Sequence, residues 1–85
     1  MQKDSKSNLN DTLVVIGNTF QQLRLQRRDK LMTVARSIGC DHSIISQIEN
    51  GRYPSLGMKM LARLATYYGF TVNELLTHIC ANIKP

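Results

Sequence analysis

Tryptophan is absent from this 85-residue chain, and cysteine, proline and phenylalanine occur only twice each. Without Trp there is no large aromatic platform. Two cysteines, Cys40 and Cys80, are too few for a disulfide scaffold. Both stand among apolar neighbours in the sequence, as the buried thiols of a reducing cytosol do. No run approaches about 18 apolar residues, so no transmembrane helix is expected. The N-terminus shows no apolar stretch beside a basic one, which speaks against a secretory leader. A Gly-rich phosphate loop is missing, as is a pair of acids spaced for proton transfer, so an enzyme is not expected. What remains is a chain with 42% hydrophobic residues. That is enough for one small core and too short for two domains.

Acidic residues are the scarcer charge, six against eleven basic ones, for a net +5. Residues 1–12 balance Lys3 and Lys6 against Asp4 and Asp11, so the excess lies in residues 13–85. A compact domain this basic favours an anionic partner.

Residues 1–12 are polar and aperiodic and read as a flexible arm. Order begins with Leu13, Ile16, Phe20, Leu23 and Arg27 at helical spacing, capped by Asn10 or Asp11. Gly17 inside that stripe signals either a close packing contact or a later helix start. A short second helix, Leu31 to Ile38, ends at Gly39. Asp41 is placed to cap a third helix from His42 to Asn50, which Gly51 closes. After the Arg52-Tyr53-Pro54 loop, Ser55 is placed to cap a fourth helix with Leu61, Leu64, Ala65 and Tyr68 on one face. Gly69 ends it. Thr71 and Glu74 form a capping box for a fifth helix, whose apolar residues are Leu75, Leu76 and Ile79. The expectation is all-α, with a domain over 13–80 and a short tail over 81–85.

The window Leu31–Asn50 decides the reading. Val34, Ile38, Cys40, Ile45 and Ile48 fill the angle between two short helices. Small Ala35 permits their approach, and Gly39 accepts a left-handed turn. His42, Ser43, Ser46 and Gln47 are left polar and outward. An ordinary helical corner in a small bundle is the plainer alternative.

Here the sequence resembles the Cro/C1-type helix-turn-helix domains of phage repressors and bacterial regulators. The resemblance rests on Ile16-Gly17, Leu23-Arg24, Val34-Ala35, Ile38-Gly39, the stretch from Ile45 through Arg52, and Pro54-Ser55. It continues to Leu64-Ala65, Gly69-Phe70 and Glu74-Leu75-Leu76, covering about residues 13–77. It implies a compact five-helix lambda-repressor-like bundle with helix 42–50 in the major groove. By the same resemblance His42, Ser43 and Gln47, with Ser46 beside them, contact bases, a role that Gln suits through bidentate pairing with adenine. Lys30, Asn50, Arg52, Tyr53 and Lys59 surround that helix and are expected at phosphates. Arg24 and Glu49 match a buried ion pair. One departure stands at the start of the second helix. The family usually has Ser or Thr followed by a phosphate-contacting Gln, where this chain has Lys30 and Leu31. Capping is then expected from Asp29 and a charge contact from Lys30.

Cys40-x-His42 and His78-x-Cys80 superficially suggest metal ligands, but i,i+2 spacing sends the two side chains to different sides of a helix. No metal or cofactor is expected. Leu76, Ile79, Cys80 and Ile83 exceed what one small core needs and read as a homodimer surface. The expected function is a cytoplasmic, nucleoid-associated transcriptional regulator. It binds a pseudo-palindromic double-stranded operator as a homodimer and does not engage a membrane. The alternatives are an antitoxin with a toxin partner, or a protein-interaction module of the same fold.

Overall fold

The computed structural model describes residues 8–82. Five helices follow one another: α1 Asn8–Gln26, α2 Leu31–Ile38, α3 His42–Glu49, α4 Met58–Tyr67 and α5 Val72–Asn82. The chain is all-α, a helix-turn-helix bundle, and no strand occurs among the described residues.

Local chemistry sets most of the boundaries. Gly39 takes φ +89° and its N–H donates to the Ala35 carbonyl at 2.8 Å, closing α2. The Asp41 carboxylate accepts the Ser43 backbone N–H at 3.1 Å and the Ser43 hydroxyl, opening α3. These two bonds hold the Asp41 carboxyl below its ordinary range, the hydroxyl contributing most. At α5, Thr71 Oγ1 accepts from the Glu74 N–H at 3.1 Å and Glu74 Oε1 accepts from the Thr71 N–H at 2.9 Å, a reciprocal capping box.

Three boundaries differ from expectation. α1 begins at Asn8, so residues 8–12 are helical, and Asn10 and Asp11 lie inside the helix rather than capping it. The rest of the proposed arm lies outside the described residues. α4 opens at Met58 with Gly57 as its N-cap, not Ser55, and no side chain caps it. α5 carries on to Asn82, past the boundary expected for the tail.

α1 packs on α3 and α5, α2 on α3 and α4, and α4 on α5. Phe20, Val34, Ile45, Ile48, Leu64 and Leu75 meet at the centre. Gly17 is a point of close approach between α1 and α3. A Cβ there would lie 2.1 Å from the Ile48 carbonyl oxygen and 2.8 Å from that of Glu49. The glycine therefore marks backbone contact between two helices, the first of the two readings its position allowed. Among the described residues no helix is long and apolar enough to cross a membrane.

Candidate nucleic-acid interface

α2, the turn at Gly39–Asp41 and α3 make the helix-turn-helix unit. Val34, Ala35 and Ile38 of α2 and Ile45 and Ile48 of α3 are buried between the helices and the bundle. That packing fixes which side of α3 faces out. His42, Ser43 and Gln47 are exposed along it, and Ser46 is half-buried beside them. His42 Nδ1 stands 4.0 Å from an Asp41 carboxylate oxygen.

The one carboxylate on α3 points the other way. Glu49 is 7% exposed. Arg24 Nε donates to Glu49 Oε2 at 2.7 Å and Arg24 Nη2 donates to Glu49 Oε1 at 3.0 Å, a two-pronged pair from α1. Arg24 Nη1 donates to the Asp29 carbonyl at 3.0 Å, which fixes the fork. The bond to Glu49 raises the Arg24 pKa, against the opposing pull of burial. Charge is thus satisfied internally where α3 meets α1, and the outward face of α3 carries none of its own.

The residues expected at phosphates are placed differently from one another. Lys30 is exposed at the N-cap of α2 and Arg52 is exposed just beyond α3. Asn50 is the C-cap of α3, and its Nδ2 donates to the Ser46 carbonyl at 2.8 Å. Tyr53 is half-buried and packs against the core. Lys59 lines a groove between α2 and α4 to which α3 contributes no residue.

Asp29 does not cap α2, and no side chain takes that role. Its carboxylate instead accepts the Tyr67 hydroxyl at 2.5 Å and stands 3.8 Å from Arg27 Nε. Arg27 Nη1 donates to the Tyr67 carbonyl at 2.9 Å while its guanidinium lies over the Tyr67 ring, 5.0 Å from the centroid. These contacts tie the end of α1 to the end of α4. Sequence reasoning missed them, because the partners are 38 and 40 residues apart and nothing local announces them.

The expected dimer residues divide. Leu76 and Cys80 are exposed on α5. Ile79 is not available: it is 3% exposed and belongs to the core of its own chain. A period of 3.6 puts residues 75 and 79 on one face and 76 and 80 on the next, and the inner face is the one that packs. Ile83 lies outside the described residues. Cys80 is an exposed thiol rather than a buried one. Cys40 is half-buried, and burial pushes its thiol pKa up. Among the described residues no three His, Cys, Asp or Glu side chains gather as metal ligands.

No curated protein and no solved structure matches this chain. A protein family does. Residues 15–77 match the family described as a helix-turn-helix domain, a span that takes in the whole of α2 and α3 and most of α1 and α5. With that match over the greater part of its length, the chain belongs to the helix-turn-helix domain family.

Proposed function

We propose that this chain is a sequence-specific regulator of transcription of the Cro/C1 type, binding double-stranded operator DNA as a homodimer with α3 in the major groove. It acts by occupancy, not catalysis. The observation that carries the reading is the outward side of α3. His42, Ser43 and Gln47 are exposed there, while the helix's only carboxylate is turned inward and neutralised by Arg24. Apart from Asp41, whose carboxylate caps the helix through Ser43, that face sets no negative charge against a polyanion, and hydroxyl, imidazole and amide groups can read base edges. Lys30 and Arg52 lie at either end of the helix-turn-helix unit and contact phosphates, with Asn50 and Tyr53 beside Arg52. The net charge of +5 supplies the long-range attraction.

Selection of bound sequences from random duplex DNA, followed by titration across salt, tests this reading. Gln47→Ala is expected to lose about 1–3 kcal/mol on the selected site and little on scrambled DNA. Arg52→Ala is expected to weaken both DNAs and to lower the log–log salt slope by about one unit. Equal loss on both DNAs for Gln47→Ala would remove its base-reading role. An unchanged slope for Arg52→Ala would remove its phosphate.

A further inference from the structure

A groove away from α3 shares only Lys59 with the residues expected at phosphates. It runs between α2 and α4 and has a volume of about 480 Å³. Its floor is apolar, formed by Ile38, Ala62 and the ring of Tyr67, and Lys59 and Arg63 stand along it. The α4 residues recur at i, i+3, i+4, i+7 and i+8, a continuous stripe about 12 Å long. This stripe is distinct from the α4 face carrying Leu61, Leu64 and Ala65, which the core covers.

The charge in the groove is unanswered. No acidic residue lines it, and among the described residues neither Lys59 nor Arg63 has an ion-pair partner. The nearby carboxylates are engaged elsewhere, Asp29 by the Tyr67 hydroxyl and Asp41 by Ser43. We infer that the α2–α4 groove is a docking site for an acidic amphipathic segment of another protein. The apolar side of that segment lies on Ile38, Ala62 and Tyr67, and its carboxylates pair with Lys59 and Arg63.

Charge and shape select this occupant over others. A second copy has little to answer two cations with, because four of its six acidic residues, Asp29, Asp41, Glu49 and Glu74, are bonded within their own chain. Residues 1–7 of the chain itself carry Lys3 and Lys6 against Asp4, which is the wrong sign. A DNA backbone would satisfy the two cations but leave the apolar floor uncovered. A short helix with Leu-type anchors and flanking Asp or Glu meets both demands, the usual terms of helix-in-groove recognition. The inference does not depend on DNA binding.

The test is selection of a random 16-residue peptide library on the immobilised full chain in the presence of excess duplex DNA. Peptides rich in Asp and Glu around apolar anchors are expected. Their binding should fall about tenfold in Arg63→Glu and also in Ala62→Glu, with the melting temperature of each variant measured alongside. Arg63→Gln, a milder change at an exposed position, should show a smaller loss in the same direction. Amide shifts on adding the selected peptide should centre on Ser37 of α2 and on Ala62 and Thr66 of α4, all of which line the groove. Recovery of no peptide, or of peptides insensitive to all three variants, overturns the proposal. So does a loss of duplex DNA binding in Arg63→Glu as large as the loss of peptide, which would make the groove part of a DNA surface.

Discussion

The Arg24–Glu49 pair is where single side chains matter most. Both groups are shielded, and each satisfies the other through two hydrogen bonds. Removing one partner strands the other's charge in a poorly solvated site, at a cost of about 3–5 kcal/mol. Small domains have about 5–15 kcal/mol in total. Glu49→Ala should therefore lower the denaturation midpoint sharply. Replacing both partners by leucine should recover much of the loss, since an apolar pair of similar volume removes the desolvation cost. An unchanged midpoint in Glu49→Ala would show the pair to be idle. Tyr68 offers the opposite case. Its ring is in the core, stacked on Phe20 at 6.1 Å, but its buried hydroxyl has no hydrogen-bond partner among the described residues. Burial also pushes its phenol pKa well up, so the group stays neutral. Tyr68→Phe deletes an unsatisfied polar atom and should raise stability by about 1 kcal/mol; a lower melting temperature would mean the hydroxyl is satisfied in solution. Of these features, the core position of Tyr68 is legible from helical spacing and the ion pair only from family resemblance. The orphan hydroxyl and the Asp29–Tyr67 bond are legible from neither, because they depend on how distant helices meet.

Helix boundaries divide by whether a side chain or a glycine marks them. The end of α2, both ends of α3, the end of α4 and the start of α5 are marked by Gly39, Asp41, Gly51, Gly69 and the Thr71–Glu74 box, and each reads correctly to within a residue there. α1 and the start of α4 carry weaker signs. The first turns of α1 are polar and lack an apolar stripe. The turn that follows its C-terminus holds Arg28 at φ +60°, a left-handed position where glycine would be the usual residue. α4 starts after an uncapped Gly57, so a capping serine nearby misleads. Two predictions belong at this scale. Gly17→Ala drives a methyl group into the backbone of α3; it should cost at least about 2–3 kcal/mol and separate α1 from α3. A midpoint within experimental error of the parent would mean that α1 can shift at no cost. Asp41 links α3 to pH. Its folded-state pKa lies below the ordinary carboxylate value, so the cap's contribution is present above about pH 4 and is lost as pH falls through the depressed value. Asp41→Asn keeps a capping oxygen without a titratable group, and should flatten that acid-side decline when unfolding is followed between about pH 2 and pH 5.

At the scale of the whole molecule, the bundle uses one side of each helix for its core and leaves α5 with a second apolar edge. Leu75 and Ile79 are buried, whereas Leu76 is 41% exposed with Cys80 one turn further on. One leucine is unremarkable on a surface. Its significance comes from the proposed mode of action, since a single α3 reads too few base pairs to select a site, and a pseudo-palindrome requires a two-fold axis. In a parallel or antiparallel α5 pair, Leu76 of one chain meets the same edge of its partner, an isologous contact that closes on itself. Two recognition helices then fall about 34–36 Å apart, one turn of DNA. The contact is expected to be modest, because stable interfaces bury about 800 Å² per partner and one short helix edge supplies only part of that. Dimerisation should accordingly strengthen with DNA present. Light scattering at tens of micromolar should give twice the 9.6 kDa chain mass, and Leu76→Asp should give the single mass while leaving the helical content intact. The same variant should lose far more affinity for a two-half-site operator than for one half-site, whereas Cys80→Ser should change neither. A single-chain mass for the parent protein, with and without operator DNA, would remove α5 as the dimer element.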